Sequence, residues 1–470
     1  ISQLIWSGGA TTDNAGAYEA WYAHDDGNLS VALTTHEESM HTRKWMPCFD
    51  EPRYKAPFKL SIEHPSHLIA LSNARVVSIE KTAGRRTSSF ERTWPISSYL
   101  YTFSVTDYVS QETSVDGLPV TVYVPPPLAS SLPKAVKLIE EVIPLMLKTF
   151  SAVHISKKLD FVFFPDHVSA MENPGHISLG ADYLDKKATL VHEMMHQYFG
   201  NLITMDWWSD LWINEGLTNF YEDIAIYGNR TLDLLLSLRG LRYNSIVGDV
   251  LDTSIPLHNA VHTFIESRHM FRNPYTKGGI VINMLREYVG KADFDAVIEK
   301  ILDERANATL SLPQFYDYLS KIEGGIGEKA VKIARDFMEQ ANYPLLLVRH
   351  TNETTVIRQV RFHRGFAKEQ QRDYDTRWTI PIHLTSLDGI YTRTLVMEKE
   401  EITVNNRGIL IVDPSRVVNY RVVYDRQTYE AIRKSQLSEE DKDFMELDLV
   451  EAATLGYTDA TTTYDVIMTR

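Results

Sequence analysis

A single cysteine, Cys48, stands in 470 residues, which excludes any internal disulfide and leaves the fold to packing alone. No apolar run of about eighteen or more residues occurs, so nothing in the sequence reads as a membrane-spanning helix. Positive charge is in short supply. Lys and Arg number 48 against 62 Asp and Glu, a net charge of −14, and the clustered basic side chains that grip phosphates are missing, which argues against a nucleic-acid partner. The acidic surplus reads as an ordinary solvated surface. A starting methionine, a basic leader and a signal-like apolar core are also lacking, so the chain is expected to be an internal piece of a longer protein.

What is present is a globular composition, 44% hydrophobic and 23% charged, in a chain too long for one core. Four Asn-x-Ser/Thr sequons begin at Asn28, Asn229, Asn307 and Asn352. They lean toward an extracellular or plasma-membrane ectodomain over a cytoplasmic setting, and leave room for a membrane anchor outside this segment. Oligomeric state is not legible.

Texture divides the chain. Residues 1–124 alternate short β-branched and aromatic runs such as "YLYTFSV" and "PVTVYV" with turn residues, the pattern of a partial β-domain. "PPPLASSLP" reads as a linker or boundary. Residues 125–342 turn to helical spacing, with "LDFVFF" as one buried strand. Residues 343–425 return to closely spaced strands, as in a small β-sandwich. Residues 426–470 are helical again, and Phe444, Leu447, Leu449 and Val450 are expected to lack a helical partner, as at the start of a truncated helical domain. The expected fold class is multidomain α+β.

Chemistry concentrates in "HEMMHQYFGNLITMDWWSDLWINEG", His192 to Gly216. On a helix, residues four apart share a face, so His192 and His196 can offer two imidazoles to one ion. Zinc suits them. It takes nitrogen and carboxylate ligands tetrahedrally, and a catalytic site leaves its fourth position to water. Glu193 is placed to take a proton from that water rather than to bind metal. Glu215, separated from His196 by eighteen intervening residues, sits on a later amphipathic segment and is the expected third ligand. A Trp-rich connector can pack the two helices together. The bland alternative, a helix with solvated or core histidines, leaves the coincidence of all four residues unexplained.

These motifs resemble those of the aminopeptidase N-type zinc aminopeptidases. "HEMMHQYFGN" with "WWSDLWINEG" is similar to their zinc signature, "SAMEN" (Ser169 to Asn173) to their exopeptidase motif, and "PYTKGG" (Pro274 to Gly279) to the segment bearing their catalytic tyrosine. "WMPCFDEPRYKAPF" resembles a stretch of their N-terminal β-domain, and "YPLLLV", "QVRF" and "WTIPI" the start of their β-sandwich. The resemblance implies a thermolysin-like catalytic domain between these parts, with one zinc ion on His192, His196 and Glu215, Glu193 as general base, and Tyr275 stabilising the oxyanion. It implies that Glu172 holds the free α-amine of a peptide substrate, flanked by Ala170, Met171 and Asn173, and that His36 lies where the N-terminal side chain is recognised.

Three departures stand out. Ser169 replaces a glycine, Pro174 follows the motif where an aromatic is usual, and the interval from Glu172 to His192 is short enough to expect a missing loop or strand beside the active site. The competing functions are a thermolysin-like endopeptidase, against which "SAMEN" argues, and a catalytically impaired family member acting as a binding protein.

Overall fold

The computed structural model describes residues 10–11, 14–150, 156–165, 169–228, 232–251, 253–269, 273–351, 353–364, 376–405 and 408–468. The chain forms two compact units: Ile1–Gly228 with Val261–His269 and Ile298–Ser311, and Asn229–Ala260 with Met270–Val297 and Leu312–Arg470. The whole is mixed α and β, β-rich at its N-terminal end. Asn229 and Asn352, two of the sequon positions, lie outside the described residues.

The first unit begins with β1 (Gly16–Ala23), β2 (Leu29–His36), β3 (Ser61–Pro65), β4 (Ile69–Ser72), β5 (Val76–Thr82), β6 (Arg85–Phe90) and β7 (Phe103–Thr106). They make a four-stranded sheet, β1-β2-β7-β4, and a three-stranded one, β3-β6-β5. Alternation decides which way β1 faces. Tyr18, Ala20 and Tyr22 point into one core with Leu71, Tyr108, Val162 and Phe164, while Ala17 joins Trp45, Phe90, Ile96 and Phe103 in another. Truncating a side chain such as Phe164 to alanine in the first core costs about 3–5 kcal/mol by transfer and cavity terms.

Next come β8 (Val109–Val115), β9 (Leu118–Val124), α1 (Leu132–Leu147), β10 (Leu159–Phe164), β11 (Ala170–Met171) and β12 (His176–Gly180). They share one sheet in the order β11-β12-β10-β9-β8, so β8 and β9, which precede the expected boundary at residue 124, hydrogen-bond into the same sheet as β10. "LDFVFF" is β10, parallel to β9 and β12 and buried at every position, which is why it is continuously apolar instead of alternating. "PPPLASSLP" is not a linker. Pro126–Ser131 forms a 3-10 turn that runs directly into α1, because proline is well placed in the first turn of a helix, where its missing N–H costs nothing. From α1, Ala135, Val136, Ile139, Val142, Ile143 and Met146 are buried at helical spacing.

The short interval after Glu172 leaves no gap. β12, a 3-10 turn over Ala181–Tyr183, and α2 (Lys187–Met195) follow one another directly. Then β13 (Ile203–Met205) and α3 (Trp212–Tyr227) follow, and β13 pairs in parallel with β14 (Ala308–Leu310). Two tryptophans of the connector are core: Trp208 and Trp212 are fully buried, and Trp208 meets the ring of Tyr99 edge-on at 5.2 Å.

In the second unit, helix Asn273–Val289 packs against helices Leu232–Gly248 and Ile326–Met338. Strand Tyr343–His350 pairs antiparallel with Thr354–Phe362 and parallel with Arg421–Tyr424. The C-terminal helices correct the expectation that they lack partners: Glu439–Thr454 packs on strand Arg421–Tyr424, Leu449 is fully buried, and Phe444 lies beneath the Arg239 guanidinium at 4.8 Å. Fully buried Asp448 from the same helix pairs with Arg242 at 3.0 Å and Arg421 at 2.9 Å.

Candidate metal centre

α2 is built to present His192 and His196. Leu190, Val191, Met194 and Met195 are buried and fix its roll, so positions 192 and 196 share the remaining face. Glu215 comes from the first turn of α3, which packs against α2. The Nε2 atoms of the two histidines lie 3.0 Å apart, and Glu215 Oε2 lies 3.5 Å from His192 Nε2 and 3.3 Å from His196 Nε2. Three ligands at about 2.0–2.1 Å from a tetrahedral ion sit roughly 3.3–3.4 Å apart, so the triangle has the size that zinc asks for. Glu215 Oε2 is buried without an aligned hydrogen-bond donor among the described residues, which the chemistry of a cation ligand explains.

Each imidazole is braced. His192 Nδ1 lies 3.0 Å from Glu222 Oε2, and His196 Nδ1 donates to the carbonyl of Phe199 at 2.8 Å. Both bonds turn Nε2 toward the metal position. Burial works against charge on these rings, yet the neighbouring carboxylates of Glu215 and Glu222 hold His192 well above the ordinary imidazole range. Against the same burial, the carboxylates of Glu172 and Glu215 lift His196 to about 9. Glu215 shows the reverse: burial would raise it, but the two histidines bring it down to about 2.

A second cluster adjoins the first. Glu172, Glu193 and His196 bring one ligating atom each within 4.8 Å of one another. Burial lifts Glu193 to about 7, with the histidines pulling the other way, which places a proton acceptor near neutrality. Burial also raises Glu172. Oε1 of Glu172 and Oε2 of Glu193 are buried with no hydrogen-bond partner among the described residues. Glu38 belongs to the same field, its carboxyl raised by burial and then by Glu172, Glu215 and Glu193.

Ala170 and Met171 form β11, antiparallel to β12. Asn173 is buried and donates to the Leu100 carbonyl at 3.2 Å. Ser169 accepts from the Gly180 N–H through its carbonyl at 3.0 Å, a bond that does not depend on its side chain. His36 closes β2 and bonds through Nδ1 to the Asn14 carbonyl at 3.3 Å. Tyr275 lies half-buried in the first turn of helix Asn273–Val289, in the second unit, and not in a loop turn.

Sequence reasoning passed over Glu222 as a ligand brace. It lies two helical turns beyond Glu215, a spacing that returns to the same face. Gly200 was passed over too. Its φ is +121°, and a Cβ there would come 3.1 Å from His196 Nδ1 and 3.3 Å from Glu172 Oε1, so the backbone approaches both clusters as only glycine allows.

The Peptidase family M1 domain model matches residues 134–340, and the Peptidase M1 N-terminal domain model matches residues 3–100. Together they take in well over half of the chain. The chain belongs to peptidase family M1. Its similarity to M1 relatives extends through both regions: it is 30% identical to human glutamyl aminopeptidase over 447 residues, 89% of this chain and 46% of the relative. Aminopeptidase M1 of Arabidopsis thaliana is 27% identical over 481 residues, 93% and 53%, and human endoplasmic reticulum aminopeptidase 2 is 28% identical over 436 residues, 82% and 45%. The chain spans about half the length of the curated relatives it matches. No helix among the described residues is long and apolar enough to cross a membrane.

Proposed function

We propose that this M1 chain is the catalytic part of a zinc aminopeptidase that removes single residues from peptide N-termini. The observation that carries the reading is the buried Glu172 Oε1, without a hydrogen-bond partner among the described residues and in one cluster with Glu193 and His196. A lone carboxylate oxygen held out of water beside a hydrolytic centre calls for a cation, and the α-ammonium of a peptide is the cation that a substrate brings. Glu38 adds a further carboxylate to the same field.

His192, His196 and Glu215 hold the metal. Bound there, zinc would supply Lewis acidity to the scissile carbonyl and would lower the pKa of water toward neutrality. Glu193 accepts the proton of the attacking water and delivers it to the leaving amine, work that suits a carboxyl titrating near 7. The family resemblance assigns to Tyr275 the donation of its phenol hydrogen to the developing oxyanion. Ala170 and Met171 line the substrate edge, Asn173 positions Glu172 from the next residue, and His36 faces the N-terminal side chain. In this reading residues 1–124 are the β-domain, with β8 and β9 joining the sheet of the thermolysin-like catalytic domain (125–342). Residues 343–425 are the β-sandwich, and 426–470 open the helical domain. The exposed sequon at Asn28 favours an extracellular or membrane-attached setting.

The test is zinc quantification together with turnover on a panel of aminoacyl fluorogenic amides, for the wild type and Glu193→Gln. The reading expects one zinc per chain in both proteins, and roughly two to four orders of magnitude less turnover in the variant. Loss of zinc from the variant would make Glu193 a ligand and remove the base from the mechanism.

A further inference from the structure

Lys55 lies in "RYKAPF", a stretch that the reaction does not use, and its ammonium is spent on backbone. Nζ donates to the carbonyls of Asn201 at 3.0 Å and Leu202 at 3.3 Å. No carboxylate pairs with it among the described residues, and burial brings it down to about 7. A lysine kept in such a place holds something in position, since burying an unpaired ammonium is costly.

What it holds is the loop Gly200–Leu202, directly after the zinc-binding helix. From that loop, Asn201 Nδ2 donates to the backbone carbonyl of Glu172 at 2.8 Å. Gly200 approaches the Glu172 carboxylate so closely that a Cβ would reach Oε1 at 3.3 Å. The Tyr99 hydroxyl leans on the Gly200 carbonyl at 3.4 Å and is itself held by Asn214 Nδ2 at 2.8 Å. On the other flank of Glu172, Asn73 Nδ2 donates to the Pro174 carbonyl at 2.9 Å, and Asn173 Nδ2 to that of Leu100 at 3.2 Å. Glu172 is therefore gripped from both sides, and the grip on the Asn201 side leads back to Lys55.

We infer that Lys55 is a positioning residue for recognition of the substrate's free amine, acting through the Gly200–Leu202 loop and the side chain of Asn201 on Glu172. The inference rests on the aminopeptidase reading. It assigns to Lys55 a share of exopeptidase selectivity and no share of metal binding or proton transfer. A carboxylate must sit within a few tenths of an ångström of its ammonium partner to keep a charge-assisted bond. Loosening the loop therefore weakens substrate binding first and leaves the chemistry at the metal in place.

The experiment measures KM, kcat and bound zinc for the wild type, Lys55→Met, Asn201→Ala and the double variant, using the best-cleaved aminoacyl amide and its N-acetylated counterpart. Lys55→Met is expected to raise KM about tenfold, the scale of one weakened charged hydrogen bond. It should keep kcat within about twofold, keep stoichiometric zinc, and shrink the penalty for acetylation by a similar factor. Asn201→Ala should reproduce this split, and the double variant should be no worse than either single change, because the two residues act along one chain of contacts. If Lys55→Met does not fold, Asn201→Ala carries the same test. Unchanged KM and acetylation penalty in the folded, zinc-loaded variants would overturn the inference, as would a joint fall of kcat and zinc content, which marks a purely structural role. A wild type indifferent to acetylation would overturn the aminopeptidase reading itself. A penalty erased by Glu172→Ala but untouched by both Lys55→Met and Asn201→Ala would overturn this inference alone.

Discussion

His192 Nδ1 and Glu222 Oε2 lie 3.0 Å apart, so the imidazole that faces the metal position with one nitrogen is held by a carboxylate through the other. This contact fixes the tautomer and roll of the ring and raises its basicity toward a cation. Glu222→Ala should therefore lower zinc affinity by about 10–100-fold, measured by competition with a chelator. An unchanged affinity would mean that the packing of α2 alone orients His192.

Glu215 and Glu222 keep the metal-free His192 protonated well above the usual range, and Glu172 and Glu215 lift His196 to about 9. Only neutral imidazole binds zinc, so metal uptake near pH 7.5 should expel protons. Titration calorimetry in two buffers of different ionisation enthalpy should show this release, and apparent affinity should fall as pH drops below about 9. A buffer-independent binding enthalpy would contradict the raised values.

Tyr275 is expected to act only as the oxyanion forms. Tyr275→Phe should lower kcat by about a hundredfold or more with little change in KM. Steady-state kinetics on the preferred amide decides it, and an unaltered kcat would return Tyr275 to an ordinary helix-end residue.

Asp448 is the counter-charge of Arg242 and Arg421 in a fully buried setting. Burial opposes its ionisation, but Arg242, Arg421 and Arg416 hold its carboxyl below the ordinary value. Its stabilising share is therefore complete above the unfolded-state pKa of about 3.9 and is lost as pH falls through the lower folded value. Asp448→Asn leaves buried guanidinium charge unpaired and should destabilise the protein by about 3–5 kcal/mol at neutral pH. Denaturant melts of both proteins at pH 7 measure the loss, and a change under about 1 kcal/mol would show that the arginines are satisfied without it.

The pairing of His192 with His196 was legible in the sequence because helical spacing alone puts them on one face, and "LDFVFF" was legible because only a doubly buried strand is continuously apolar. Glu172 could be named from "SAMEN" but not all of its surroundings, since Gly200 and Asn201 reach it only once β11 and the turn after α2 have folded together. Glu222 was hidden for a different reason: a lone glutamate on an amphipathic helix looks like a solvated face until the imidazole beside it is seen. The change from strand to helix does fall at "PPPLASSLP", and the reading failed where that segment was taken as a linker, since Pro126–Ser131 runs directly into α1. It failed again where a helix was expected to pack only on helices: Leu449 is buried in a helix that packs on a strand.

The central claim is that Glu172 pairs with a free α-ammonium and so makes the site an exopeptidase. It is tested most directly by the ratio of kcat/KM for a free-amine peptide to that for the same peptide N-acetylated, in the wild type and in Glu172→Ala, with bound zinc measured in both. Acetylation removes the charge and the pairing together, so the account predicts that the wild type barely cleaves the capped peptide. It also predicts that Glu172→Ala keeps its zinc and loses most activity on the free-amine peptide, and that the ratio collapses toward unity. Efficient internal cleavage of the capped peptide by the wild type would contradict the account and favour an endopeptidase. So would a ratio that Glu172→Ala leaves unchanged, which would move amine recognition to another carboxylate, Glu38 first.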